Sequence, residues 1–108
     1  MKKVVVKNEA LLFLDELVAI LIENEYFGFV ESSLEYVNRI YDFIHNDLPH
    51  ITHYETPEML KHYGKYYVKL KSNKRTMWYV FFDKYESRYI VEFITNNHTS
   101  HSAYLNTL

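Results

Sequence analysis

The chain has 108 residues, 48% hydrophobic and 18% aromatic, with eleven Tyr, seven Phe, no Cys and a net charge of −2. That length makes one domain, residues 1–108, with a core of its own, and the composition excludes a disordered chain, a disulfide framework and thiolate chemistry. No apolar run reaches the roughly 18 residues of a membrane span, and Glu9, Asp15, Glu16 and Glu23 interrupt the N-terminal stretch that otherwise looks like a signal peptide, so the expectation is a soluble, cytoplasmic protein with no membrane partner.

"KVVVK", ending before Asn8, predicts a short β-branched strand. From Glu9 to about Asn24, Leu11, Leu14, Leu17, Val18 and Leu21 recur at helical spacing. Gly28 in "EYFGF" is the expected turn. Ser32 and Glu35 make a capping box for a second helix with Leu34, Val37, Ile40, Tyr41 and Ile44 on its apolar side. Two helices joined by a short loop form an antiparallel hairpin. Pro49 ends the second helix, and "NDLPHITHYETPEML" reads as a loop. Thr56-Pro57 offers a cap and a first position for a short third helix, which Gly64 ends in a left-handed conformation.

The period then changes. "KYYVKLK", "TMWYVFF" and "RYIVEFI" predict three strands, separated at hairpin lengths by "SNKR" and "DKYES". The expected fold is α+β: an N-terminal strand, a helix hairpin, a short third helix, a three-stranded antiparallel meander packed on the hairpin, and a short C-terminal helical turn. Met77, Tyr79 and Phe81 point to one side of the sheet, and Trp78, Val80 and Phe82 to the other. By the same alternation Tyr89, Val91 and Phe93 oppose Ile90, Glu92 and Ile94. Both sides are apolar while one helix hairpin covers only one. The expectation is a second side left open for a partner chain; the competing expectation is that residues 47–65 and the C-terminal turn fill it.

Charge is divided along the chain. Residues 1–60 carry four Lys and Arg against eleven Asp and Glu; residues 61–108 carry eight against three. A basic half attracts a polyanion even on an acidic protein, although Lys on edge strands also serves only to block aggregation. Lys69 and Lys71 are two apart on one strand and share a face. Lys74 and Arg75 follow at the turn into the next strand, and Trp78 or Tyr79 is suited to stack a base. His50/His53 and His98/His101 are each three apart, but no third ligand is evident and no metal or other cofactor is expected. There is no glycine-rich phosphate loop and no GxSxG elbow.

Strand, helix hairpin, then "YYVKLKSNKRTMWYVFFDKYESRYIVEFITNNHTSHSAYL" resembles the RelE/ParE superfamily, the toxins of type II toxin–antitoxin modules. The likeness runs in order and length over nearly the whole chain. Its specific part is the last forty or so residues, with the penultimate strand "WYVFF" and the end "NNH". The resemblance implies a cytoplasmic bacterial toxin of the kind grouped with plasmid stabilisation, held by a cognate antitoxin as a homodimer or a toxin–antitoxin heterotetramer. RelE-type members act on the ribosome as endoribonucleases, inhibiting translation by mRNA cleavage through 2′-OH attack. ParE-type members poison DNA gyrase, and a non-catalytic interaction module keeps the same fold.

For the nuclease, the resemblance implies a catalytic set of His98, Tyr104 and Arg75, with Lys69, Lys71, Lys74 and Trp78 on the substrate. An unperturbed histidine titrates near neutral pH, which suits His98 to acid–base work. Each has a plainer role to weigh against it: Lys69 and Lys71 as solvated edge residues, Tyr104 as a rim aromatic, and His98 as a hydrogen-bonding turn residue beside Asn96 and Asn97. Active RelE-type nucleases carry an Arg within the central strand, where "WYVFF" has none.

Overall fold

The computed structural model describes residues 3–23, 33–71 and 76–99. Strand β1 (Lys3–Val6) leads into helix α1 (Asn8–Glu23), and helix α2 (Ser33–Asp47) follows. Next come a 3₁₀ turn (Leu48–His50), a two-residue strand β2 (Tyr54–Glu55) and a 3₁₀ helix (Glu58–Tyr63). Strands β3 (Tyr66–Lys71), β4 (Met77–Tyr85) and β5 (Arg88–Asn96) complete the described chain. The α+β class holds, but the sheet has five strands in the order β1-β5-β4-β3-β2 rather than a bare meander. β1 lies parallel to β5, and every other pair is antiparallel. The β2 strand was not expected within the 47–65 loop. Ser32, Gly28, the "SNKR" turn and the C-terminal helical turn lie outside the described residues.

One side of the sheet carries the main core. On α1, Ala10, Leu14 and Val18 are spaced four apart and fully buried, one line along the helix. On α2, Tyr36, Ile40 and Ile44 repeat the spacing, and Leu48 extends the row into the 3₁₀ turn. Pro49, lacking an N–H, tightens that turn while Leu48 stays in the core. These rows meet Val68, Trp78, Val80, Phe82, Tyr89 and Val91 of the sheet.

Alternation in β5 departs from the sequence expectation. Phe81 pairs with Phe93 but Phe82 pairs with Val91, so a bulge takes up Glu92. One inserted residue reverses the parity. Tyr89, Val91 and Ile94 therefore face the helices, and Phe93 faces the other side with Phe81.

That second side is not open. Tyr67, Tyr79, Phe81 and Phe93 are all at most 4% exposed. Tyr63 of the 3₁₀ helix stacks on Phe93 at 4.0 Å, Phe13 of α1 meets the same ring edge-on at 4.7 Å, and Leu60 joins the cluster. Tyr54 lies against Tyr67 at 5.4 Å. The expectation of an exposed aromatic face is corrected: segment 54–63 folds back and fills its middle.

Gly64 ends the 3₁₀ helix as expected, in a different conformation. Its φ of +151° with ψ of 150° is extended, positive-φ backbone, which glycine alone adopts readily. A Cβ there would lie 2.9 Å from the Phe82 nitrogen. Thr56 does not cap the helix; its buried hydroxyl has no hydrogen-bond partner, and Pro57 occupies the cap position. β4 and β5 run further than expected, leaving a turn of Glu86 (φ 55°) and Ser87 where a five-residue loop was read. Among the described residues, no helix is long and apolar enough to cross a membrane.

Candidate functional site

The pairing register lays side chains in rows across the second side of the sheet, because directly opposed residues share a face. Phe93, Phe81, Tyr67 and Tyr54 form the filled aromatic row. The next row towards the C-terminal end of β5 is Thr95, Tyr79 and Lys69. Beyond it, Lys71 pairs with Met77, and Met77 is bonded on its other flank to Asn97. The surface thus changes from apolar to polar and cationic within two rows.

Local hydrogen bonds hold the end of β5. The Asn96 side-chain oxygen accepts from the His98 backbone N–H at 2.9 Å, the self-bonded turn that Asn favours. The Asn97 side chain accepts from the Met77 N–H at 2.9 Å. The Thr99 hydroxyl donates to the Asn96 carbonyl at 3.0 Å, so Thr95 supplies the proton in the 2.8 Å bond between the two threonine hydroxyls. His98 itself is exposed, with Nε2 3.2 Å from the Thr76 hydroxyl.

Lys69 and Lys71 do share this face, and His98, following β5, stands at the same end of the sheet two strands from Lys71. The half-buried Lys69 sets its ammonium 5.2 Å above the Tyr54 ring, a cation–π contact that leaves its charge unneutralised. Burial pushes the Tyr79 phenol above its ordinary pKa. The Tyr67 phenol is raised as well, first by burial and then by the neighbouring Tyr54 and Tyr79 phenols. Tyr67 is fully enclosed and its hydroxyl has no hydrogen-bond partner.

Trp78 is the candidate the structure removes. It faces the helices, is 0% exposed, and donates its indole N–H to the Tyr36 hydroxyl at 2.8 Å. A base cannot reach it. Tyr79 has the right face but is only 3% exposed. Lys74, Arg75 and Tyr104 lie outside the described residues. Sequence reasoning missed Thr76, Thr95 and Thr99; hydroxyls directly beside a candidate His were the available signal.

The basic half of the chain divides between two ends of the sheet. Lys69 and Lys71 stand at one, Lys84 and Arg88 at the β4–β5 turn of the other. Among the described residues no three His, Asp or Glu come together as a metal would need; the His53 ring instead packs edge-on against Tyr66 and Phe82. Compared with known proteins, the chain matches no family model, no curated protein and no solved structure.

Proposed function

We propose that the protein is the toxin of a type II toxin–antitoxin module, resembling the RelE/ParE superfamily, and that it acts in the cytoplasm by ribosome-dependent mRNA cleavage. The observation that carries this reading is that Lys69, Lys71 and His98 stand at one end of the sheet, in the part of the chain where the resemblance is most specific. In the proposed reaction the 2′-OH oxygen attacks the adjacent phosphorus and the bond to the 5′-oxygen breaks. Lys69 and Lys71 stabilise the charge that builds on the phosphoryl oxygens. His98 exchanges the proton that must leave the 2′-OH or reach the 5′-oxygen, a role its exposure permits. Arg75 and Tyr104 belong to the same proposed set, and Lys74 to the substrate contacts. An acidic segment of the antitoxin would cover Lys69 and Lys71 and so block the site.

A second reading has its own observation. β4 carries no cation from Met77 to Phe82, and both its faces are buried. A ParE-like gyrase binder, or a non-catalytic module with the same fold, needs no cation there. Induction of the protein with and without its genomic neighbour, followed by an mRNA-cleavage assay in a translation reaction and a gyrase supercoiling assay, separates the readings. Arrested growth with cut mRNA supports the nuclease. Arrested growth with intact mRNA and blocked supercoiling supports the gyrase binder, and unaltered growth removes both.

A further inference from the structure

The two helices distribute their apolar residues differently. On α2 the outward residues are mostly polar, Glu35, Asn38, Arg39 and Asp42, with Leu34 exposed at its start. α1 has two apolar sides. Beyond the buried row of Ala10, Leu14 and Val18, Leu12 is 61% exposed, Phe13 40% and Ile20 46%. Leu12, Glu16 and Ile20 are spaced four apart and form one line along the helix, and Glu9, Leu12, Phe13 and Glu16 enclose a dent of about 200 Å³. A helix apolar on both sides is ordinarily covered on both. The rim has one sign: Glu9, Asp15 and Glu16 are exposed along it, and α1 contains no Lys or Arg. None of Glu9, Asp15 and Glu16 has an ion-pair partner among the described residues.

We propose that this face of α1 docks a basic amphipathic helix of a partner polypeptide, an apolar side chain entering the dent while Lys or Arg residues pair with Glu9, Asp15 and Glu16. Charge selects the occupant. A second copy meeting the first through α1 would bring carboxylates against carboxylates, Lys7 beside Glu9 being already paired with Glu92, and like charges so placed repel. Leu12, Phe13 and Ile20 with the carboxylates beside them offer a basic amphipathic helix both apolar contact and opposite charge. The face lies on the β5 side of the sheet, away from Lys69 and Lys71 on β3, so the proposal stands whether or not the toxin reading holds.

The test is fluorescence anisotropy with a labelled Leu/Lys peptide of about four helical turns and a Leu/Glu counterpart. The Leu/Lys peptide is expected to bind saturably and the Leu/Glu peptide not to bind. Leu12→Ser with Ile20→Ser, and separately Glu9→Lys with Glu16→Lys, are each expected to weaken binding at least about tenfold, with unchanged circular dichroism because all four side chains are exposed. The proposal is overturned by absent saturable binding, or by affinity indifferent to the Leu12/Ile20 pair. A wild-type dimer in sedimentation that this same pair dissociates also overturns it, since a second copy then covers the face.

Discussion

The indole N–H of Trp78 donates to the hydroxyl of Tyr36 at 2.8 Å, joining the central strand to α2 inside the core. Both side chains are fully buried, and the Arg39 guanidinium lies 4.8 Å over the Tyr36 ring. A buried donor stripped of its acceptor loses the full cost of its desolvation. Tyr36→Phe is therefore expected to lower stability by about 1–3 kcal/mol in urea denaturation. The half-buried Lys69 and the exposed Lys71 and His98 would stay where they are. A variant as stable as wild type would show the bond to be dispensable.

Gly64 is expected to tolerate nothing larger. A Cβ would press on the Phe82 nitrogen at 2.9 Å and the Phe81 carbonyl carbon at 3.2 Å, both backbone of β4 and unable to rotate away. The φ of +151° adds strain for any side chain. Such backbone positions cost on the order of 1–3 kcal/mol before any clash is counted. Gly64→Ala should shift the urea midpoint by at least that much; an unshifted midpoint would mean that segment 54–63 rearranges at little cost.

Three groups predict a loss of stability in alkali. Lys7 is raised chiefly by its side-chain hydrogen bond to Glu92, 2.6 Å away, and by the charge of that carboxylate. The Tyr67 and Tyr79 phenols are raised by burial. In each case the folded state holds its proton more tightly than the unfolded chain, which releases it near pH 10 for Tyr and about 10.4 for Lys. The contribution is complete below about pH 10 and is lost as pH rises through the higher folded values. Urea midpoints measured from neutral to about pH 11 should fall across the alkaline end. Tyr67→Phe and Glu92→Gln should each flatten the fall; a level profile in wild type would contradict the assignment.

Lys69→Ala with Lys71→Ala tests the site apart from the fold. Lys71 is exposed and Lys69 half-buried, its ammonium over the Tyr54 ring. Surface changes of this kind usually move stability by no more than about 0.5 kcal/mol. Cleavage in the translation reaction is expected to fall at least about tenfold, one such step being about 1.4 kcal/mol of barrier, and His98→Ala to do the same. Wild-type cleavage by all of these variants would place the chemistry elsewhere.

What the sequence made legible is the local period. Leu14 and Val18, the two apolar faces of β4, and the shared face of Lys69 and Lys71 all follow from helical or strand spacing, while Ala10 takes the place in the buried row that Leu11 was expected to fill. What it hid depends on distant segments. Nothing in "RYIVEFI" marks the bulge at Glu92, since no glycine or proline stands there, so the side taken by Phe93 was misread. The sequence admits residues 47–65 as a cover for the second face, but the stretch has no periodicity to say that Tyr54 and Tyr63 are the side chains that close it over Tyr67 and Phe93. Trp78 was legible as one of an alternating pair of faces, but which face the helices take is set by packing between elements far apart in the chain.

Two fully buried tyrosines should therefore answer the same mutation in opposite ways. Tyr36 spends its hydroxyl on Trp78, whereas the Tyr67 hydroxyl is enclosed with no hydrogen-bond partner among the described residues. Its ring still packs against Phe81 at 5.6 Å and Tyr54 at 5.4 Å, contacts a phenylalanine keeps. Removing an unsatisfied buried hydroxyl relieves a desolvation cost of about 1–3 kcal/mol and exposes no cavity larger than the oxygen. Tyr67→Phe is thus expected to leave stability unchanged or raise it by up to that amount, measured beside Tyr36→Phe in one urea series. If Tyr67→Phe instead loses more than about 1 kcal/mol, its hydroxyl is paired in solution, and the polar rows beside Lys69 reach deeper into the sheet than the register implies.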